Sequence, residues 1–356
     1  MRTALCCALL SLAAGAAGAQ EREVTFEAPK PVAVTGFAVG LFSWDREQAA
    51  NSALASKLAV SLFQAWSDNL YLFGQLTTRV APGDSGATTT EIEVDNLIVS
   101  WTPPGASALN VSFGRFDAPL GFERDDEPLN LIPTNSFNFG LARPSKLTGV
   151  AARFTAGPSL ELVAAAANGW NVAVDNNRDK TGLLRAQWIA RPGLTIGVTG
   201  LYGPERDSTS GQARALVSSD VTLEVGRLIA GAELNAGRER APAGAALTWT
   251  GVAATGFLRL GSDWGLTARY EYLDDRDGVL GAGTILQSLT AGPMWFFRSA
   301  QEGIFSNIEH TTFHLPQVAV RTAVRLDSAR RPFFEDAGGA LQRTDTRAVV
   351  ELVFLF

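Results

Sequence analysis

The feature that most constrains this chain is an alternation of apolar and polar residues, repeated in segments of about ten residues. In the last segment, Val350, Leu352 and Phe354 share one face, while Asp345 and Glu351 share the other. Successive residues of a β-strand point to opposite faces of the sheet. The alternation therefore predicts strands that have one apolar and one charged face.

The arrangement of these faces favours lipid outside and water inside. A soluble β-sandwich also alternates, but charged residues on the opposite face of nearly every strand favour a barrel with a wet interior. No stretch after residue 20 stays apolar for the roughly 18 residues that a membrane-spanning helix needs. Lipid offers no partner to the backbone groups of an open sheet edge, so such a sheet must close. We expect an all-β fold, an antiparallel up-and-down transmembrane β-barrel.

Counting the segments predicts about sixteen strands. The expected strands are 33–43, 57–67, 69–79, 91–101, 109–116, 148–156, 159–169, 182–190, 194–203, 213–225, 227–237, 246–260, 263–274, 284–297, 313–327 and 344–356. Turn-forming residues mark short connections at 67–69, 157–159, 191–193 and 261–263. The segment 298–312 is too long for such a turn and fits no strand. A barrel of sixteen strands is too wide for its own side chains to fill, which predicts an aqueous lumen.

The N-terminus has the organisation of a secretory signal peptide. A positive start at Arg2 precedes a short apolar run at 5–12, and small residues lead to Ala17-Gly18-Ala19. We expect cleavage after residue 19, which leaves 20–356 as one barrel domain. The alternative, an N-terminal helix of a cytosolic protein, lacks a capping residue and a polar face.

Composition excludes several functions. Cys6 and Cys7 both fall within the signal peptide, so the mature chain is expected to have no disulfide, thiol nucleophile or thiolate metal site. The net charge of −6 argues against a nucleic-acid partner.

A barrel hydrolase is the enzymatic alternative, and it would need a histidine beside a nucleophile. His310 and His314 are the only histidines, with Ser306 and Asn307 nearby. In a strand, residues four apart are separated by about 13 Å, so the two histidines would not share a metal. We therefore expect no enzyme activity, no metal and no cofactor.

The longest connection, 117–147, follows the fifth strand and is the third outer loop. A long loop without evident structure in a compact protein is usually functional. We expect it to fold into the lumen and narrow the pore; the alternative is a solvated external loop. The candidate constriction residues are Arg115, Asp117, Glu123, Arg124, Asp125, Asp126, Glu127, Arg143 and Lys146.

Alternation also predicts charges that line the lumen. These are Glu91, Glu93, Asp95, Arg153, Arg185, Arg269, Glu271, Arg321, Arg325, Arg347 and Glu351. The loop acids are expected to face Arg153, Arg185, Arg321, Arg325 and Arg347 and to create a transverse field that favours polar solutes. The alternative is that strand arginines pair with neighbouring strand acids. Phe137 and Phe139 have two possible roles. They would form a sugar slide, which is an open aromatic surface along which sugars move, or they would pack within the loop.

Three motifs carry a resemblance to a known family. Residues 114–123 (GRFDAPLGFE), with Ala142-Arg143-Pro144 and Thr148-Gly149-Val150, resemble the constriction region of Gram-negative porins. They are most similar to the phosphate-selective porin-like and putative β-barrel porin families. The terminal Val353-Phe354-Leu355-Phe356 resembles the outer-membrane signature, in which the barrel-assembly machinery reads the final phenylalanine.

The resemblance implies a homotrimeric sixteen-stranded channel in the outer membrane, with its third loop inside. We expect passive diffusion of small hydrophilic solutes and ions. Phosphate selectivity does not carry over, because the chain has four lysines (Lys30, Lys57, Lys146 and Lys180) and an acidic loop. The alternatives are a channel selective for carboxylates, sugars or anions, and a plugged structural barrel.

Overall fold

The computed structural model describes residues 31–48, 50–82, 88–175, 177–206, 212–241, 244–297, 300–301, 315–316 and 318–356. The expected signal peptide lies outside these residues, as do Ser306, Asn307, His310 and His314. Most of 298–312 also lies outside them.

Most of the described chain is β-strand. The strands are β1 (Ala33–Asp45), β2 (Ala50–Ala65), β3 (Leu70–Pro82), β4 (Thr88–Trp101), β5 (Leu109–Asp117), β6 (Lys146–Ala156), β7 (Leu160–Ala167), β8 (Thr181–Arg191), β9 (Leu194–Pro204), β10 (Ala213–Val225), β11 (Leu228–Arg240), β12 (Ala246–Arg259), β13 (Trp264–Asp274), β14 (Ile285–Phe296), β15 (Ala300–Gln301), β16 (Leu315–Pro316), β17 (Val318–Ala329), β18 (Phe334–Glu335), β19 (Leu341–Gln342) and β20 (Thr344–Leu355). The helices are a 3-10 helix (Glu127–Leu129) and α1 (Phe137–Leu141). Within the described ranges, neither helix has the length and apolar character needed to cross a membrane.

Sixteen of the strands form one closed barrel. The order is β1 to β14, then β17 and β20, and β20 pairs antiparallel with β1. The pairs β15–β16 and β18–β19 are separate two-stranded sheets. The predicted all-β barrel of sixteen antiparallel strands is confirmed.

Two strand boundaries differ most from the prediction. β2 begins at Ala50 rather than at 57, because 50–55 continue to pair with β1 beyond a register shift at Val39/Gly40. A bulge of this kind lets pairing continue where simple alternation is lost. β17 begins at Val318 rather than at 313, because Leu315 and Pro316 pair with β15 instead. Proline has no N–H to donate to a central ladder.

The barrel wall has the predicted inside-out distribution of polarity. Val350, Leu352 and Phe354 are 44–48% exposed on the outer face, whereas Glu351 and Val353 are buried. Exposed tryptophans also lie at the end of the barrel that carries the short turns, and they include Trp66, Trp101, Trp188 and Trp264. A girdle of aromatic side chains around one end of a barrel is typical of a membrane interface.

The seam that closes the barrel is tightly packed near the C-terminus. Gly36 and Phe356 exchange two backbone hydrogen bonds of 2.9 and 3.0 Å. A Cβ atom on Gly36 would meet the backbone carbonyl of Ala59 and the ring of Phe356. A Cβ atom on Gly40, four residues along the same strand, would make only ordinary contact with Leu352.

We predict that Gly36→Ala destabilises the barrel, whereas Gly40→Ala does not. The added methyl group must displace a neighbouring backbone carbonyl, and overpacking of this kind costs about 1–3 kcal/mol. The measurement is the free energy of unfolding of the refolded protein in urea. Unfolding is monitored by the heat-modifiable mobility of the protein on gels. Equal stability of the two variants would contradict the packing that we describe at the seam.

Candidate functional site

The candidate site is built around the segment 118–145, which connects β5 to β6. The prediction left this segment without structure, but it contains the 3-10 helix and α1. Ser136 caps α1, since its side chain accepts a 2.9 Å hydrogen bond from the N–H of Phe139. Such a cap satisfies a backbone group that the helix leaves without a partner.

The acidic part of the segment contacts β2 and β3. The Nζ of Lys57 lies 2.7 Å from Glu127 Oε2, and the amide of Gln75 donates to the carboxylate of Asp126 at 3.2 Å. Asp126 is only 2% exposed. Burial raises the pKa of Asp126 to about 8, and the nearby Asp117 adds to the rise, whereas Lys57 opposes it.

A second group of charges surrounds Lys146 where β6 begins. Its Nζ lies 2.8 Å from Asp95 and 3.3 Å from Asp125, and it also pairs with Asp117. Burial by itself would raise the pKa of Asp125, but the positive charges of Lys146 and Lys57 outweigh it, and the pKa is lowered. Asp125 is therefore ionised at neutral pH.

Glu123 joins the segment to β13. Its Oε1 lies 2.7 Å from Arg269 Nη1, and its carboxylate accepts hydrogen bonds from the backbone N–H and the hydroxyl of Ser136. Arg269 also pairs with Glu271 at 3.1 Å and donates to the backbone oxygen of Thr134. Burial raises the pKa of Glu123.

Arg143 joins the segment to β11. Its Nε lies 2.8 Å from Glu233, and its Nη2 donates to the backbone oxygen of Glu123 at 2.7 Å. Its guanidinium lies over the ring of Phe139, 4.7 Å from the centroid. Glu233 also accepts a 2.8 Å hydrogen bond from the N–H of Phe122, so one wall carboxylate holds two parts of the segment.

Two arginines of β17 bind carbonyl groups of the segment. Arg321 donates to the backbone oxygens of Glu127 (2.9 Å) and Asn130, and Arg325 donates to that of Asn135 (2.7 Å). The contacts of the segment are therefore with inward-facing side chains of the barrel wall.

The predicted partners of the wall arginines were wrong. Each arginine that we expected to face the loop acids instead pairs with a strand acid: Arg153 with Glu161, Arg185 with Asp220, Arg321 with Glu351, Arg325 with Asp327, and Arg347 with Asp345. Four of these five pairs join residues two apart on a strand or on neighbouring strands, which share a face at short range. Arg185 on β8 instead reaches Asp220 two strands away on β10. The pairing of strand arginines with strand acids is the alternative interpretation given above.

Other predicted site residues lie near the point where the segment leaves the wall. Arg115 belongs to β5 rather than to the loop, and its Nη2 lies 2.7 Å from Glu93. Arg124 donates to the backbone oxygen of Gly121 at 2.8 Å. Glu91 is exposed near the beginning of β4.

Seven wall residues that hydrogen-bond or ion-pair with the segment in the described part of the chain were missed. They are Lys57, Gln75, Arg79, Asp220, Glu233, Asn235 and Trp249. Each is on the inward face of its strand, so alternation was the available signal. Which inward residues meet the segment depends on the path of the segment, and alternation does not encode that path.

Phe137 and Phe139 of the segment are packed within the protein. The ring of Phe137 lies 6.3 Å from that of Phe334 and beneath the guanidinium of Arg325, at 4.6 Å. Phe139 is 7% exposed and lies beneath Arg143. Neither ring presents the open aromatic surface of a sugar slide.

A cavity with charged residues in its lining lies between the segment and the wall. Its volume is about 220 Å³, and its lining includes Arg124 and Leu129 from the segment and Glu161, Arg185 and Asp220 from the wall. The lining therefore carries charges of both signs.

The sequence comparison identifies the family. The family described as Putative beta-barrel porin-2, OmpL-like, matches residues 69–356, which is well over half of the chain. The chain belongs to this porin family. The predicted resemblance to β-barrel porins is thereby confirmed. No curated protein sequence matches this porin.

Solved structures share the fold at low sequence identity. The outer membrane channel DcaP of Acinetobacter baumannii is 12% identical with a TM-score of 0.62, covering 91% of this chain and 97% of DcaP. The anion-selective porin from Comamonas acidovorans is 9% identical with a TM-score of 0.60, covering 92% and 99%. The trimer form of OmpT, an outer membrane protein of Vibrio cholerae, is 12% identical with a TM-score of 0.57, covering 93% and 100%.

We predict that Glu123→Ala releases part of the segment 118–145 from the wall. The substitution leaves Arg269 buried without one of its carboxylates, and breaking a buried pair costs about 3–5 kcal/mol. The measurement is hydrogen–deuterium exchange of the backbone amides in 118–145, which should exchange faster in the variant. Glu239→Ala is the matched control, because it breaks buried wall pairs with Arg206 and Arg214 rather than a pair with the segment. Equal exchange in the two variants would contradict a tether at Glu123.

Proposed function

We propose that this porin forms a water-filled channel for passive diffusion of small hydrophilic solutes and ions across the outer membrane of a Gram-negative bacterium. The observation that carries the proposal is the closed barrel of sixteen strands in a chain of a porin family. A barrel of this size has a circumference that its own side chains do not fill. The function is transport rather than catalysis, and it needs no cofactor.

Export, assembly and oligomeric state are part of the proposal. The signal peptide 1–19 directs the chain to the periplasm, and the barrel-assembly machinery recognises Phe356 and inserts the barrel into outer-membrane lipid. The working unit is a homotrimer, as the trimer form of OmpT suggests for a barrel of this fold.

We further propose that the segment 118–145 is the constriction of the channel. Asp126 contacts Gln75 on β3, and Arg143 contacts Glu233 on β11. In the order of the closed barrel, seven strands separate β3 from β11 on either side. A segment that touches both strands must therefore cross the lumen, which supports an inward rather than an external loop.

The charges at this crossing support a preference for polar solutes. Lys57, Lys146 and Arg269 each pair with a carboxylate of the segment or its base. Beside the segment, the lining of the cavity adds charges of both signs at this crossing. Fixed charges in a narrow, low-dielectric passage act strongly on a passing solute.

We predict discrete conductance steps when the full mature chain is inserted into planar bilayers in a salt gradient. A trimer of open barrels should give steps in groups of three, and the reversal potential reports the ion preference. Protein unfolded by boiling is the control. No conductance from protein that remains heat-modifiable would mean a plugged barrel, and the proposed channel function would be wrong.

We predict that the ion preference depends on pH through Asp126. Because its pKa is raised to about 8, this carboxyl is mainly protonated below that value and ionised above it. Raising the pH from 6 to 10 should therefore move the reversal potential toward greater cation preference. It should also lower the thermal stability, since a group with a raised folded-state pKa loses its stabilising effect as the pH rises through that pKa.

The control for this titration is Asp126→Asn, which resembles the protonated acid and still accepts a hydrogen bond from Gln75. The variant should lack both the change in reversal potential near pH 8 and the fall in thermal stability between pH 6 and 8. The same changes in the variant and the parent would show that another group titrates.

A further inference from the structure

Three carboxylates converge at the loop end of the seam that closes the barrel. Asp45 ends β1, Glu47 lies in the turn that follows, and Asp345 is near the start of β20. One carboxylate oxygen from each lies within 4.8 Å of the others. The group therefore joins the first and last strands of the barrel.

The arginine beside these carboxylates carries less positive charge than is needed to neutralise all three. Arg347 contacts Asp345 at 2.5 Å and Asp45 at 3.2 Å, and its side chain is 46% exposed. Asp327 lies opposite Asp345 in the β17–β20 ladder, but it pairs with Arg325. In the part of the chain that the structure describes, one guanidinium thus faces three carboxylates.

The buried carboxylate of Asp345 supplies an independent observation. Asp345 is only 3% exposed, and its Oδ2 is the atom that Arg347 contacts. Its Oδ1 is buried and accepts no hydrogen bond from any described residue. A buried carboxylate oxygen without a partner is unfavourable, so this atom is suited to a cation.

The neighbouring backbone holds the cluster in place. Glu47 Oε2 accepts a 2.7 Å hydrogen bond from the N–H of Thr346, next to Asp345. The backbone oxygen of Glu47 accepts another from Ala337. Asp45 Oδ1 accepts a 2.8 Å hydrogen bond from the N–H of Gln48. The carboxylates are therefore positioned before any ligand binds.

We propose that Asp45, Glu47 and Asp345 bind a divalent cation, Ca²⁺ in preference to Mg²⁺. Two Ca²⁺–oxygen bonds of about 2.4 Å span at most about 4.8 Å, so three ligand atoms within 4.8 Å of one another can share one ion. Ca²⁺ accepts irregular oxygen shells completed by water, whereas Mg²⁺ requires near-octahedral geometry. The half-exposed Arg347 turns toward solvent when the cation takes its place beside Asp345.

The bound cation would link β1 to β20 at the rim. A ligand that binds only the folded state raises its stability by mass action. Ca²⁺ thus strengthens the seam at the end opposite to Gly36 and Phe356. The site acts on barrel closure, so it is independent of the proposed conductance.

The test uses the refolded full chain in detergent, with Tb³⁺ as a luminescent substitute for Ca²⁺. Trp44, adjacent to Asp45, is the sensitiser. We expect saturable Tb³⁺ emission that Ca²⁺ displaces at a concentration at least ten times lower than Mg²⁺ does. Glu47→Gln and Asp45→Asn should each weaken binding at least tenfold. The control Glu335→Gln, an exposed acid on β18 outside the cluster, should bind as the parent does.

A stability measurement accompanies the binding measurement. Ca²⁺ should raise the temperature at which the parent barrel loses its folded mobility on gels, and it should have no such effect on Glu47→Gln. That variant retains the hydrogen bond to Thr346, and heat-modifiable mobility verifies that it folds. Unchanged Tb³⁺ binding in both folded variants, or no saturable binding to the parent, would overturn the proposal. Equal displacement by Ca²⁺ and Mg²⁺ would overturn the preference for Ca²⁺.

Discussion

Backbone N–H and C=O groups find no hydrogen-bond partner in lipid, and the rest of this structure depends on that constraint. A strand in hydrocarbon must pair on both sides, so the sheet closes when β20 meets β1. Closure fixes the alternation of faces, because each strand must turn its apolar residues to the same lipid. It also explains the tight packing at Gly36, where the first strand of the barrel lies beside the last.

The interior follows a second constraint, which is the cost of burying charge. Buried ions are tolerated when they are paired and hydrogen-bonded. The wall meets this requirement largely by itself, through neighbours such as Arg185 and Asp220. The segment 118–145 meets it by contact with the wall, since Glu123 and Arg143 find their partners on β13 and β11. Ion pairs with the wall therefore position the proposed constriction, together with the apolar packing of Leu120, Leu129 and Ala142.

Much of the fold could be read from the sequence, and the site only in part. Sixteen strands, their faces and the turns at 157–159 and 191–193 follow from local pattern. The extension of β2 to Ala50 could not be predicted, because a bulge at Val39/Gly40 interrupts the alternation. Charged residues such as Arg269 were placed on the inward face, but Lys57 and Glu233 were missed, because their importance depends on a loop that arrives from elsewhere in the chain.

The sequence by itself determined the class of the protein: a barrel with an apolar exterior, a charged interior and one long connection after the fifth strand. These properties are periodic or compositional, so each is encoded within about ten residues. Only the tertiary structure decided which charges meet. The pairing of Lys146 with Asp95 and Asp125, and the convergence of Asp45, Glu47 and Asp345 across the seam, join residues far apart in the chain. Such contacts depend on closure and register, since they form only when distant strands are brought side by side.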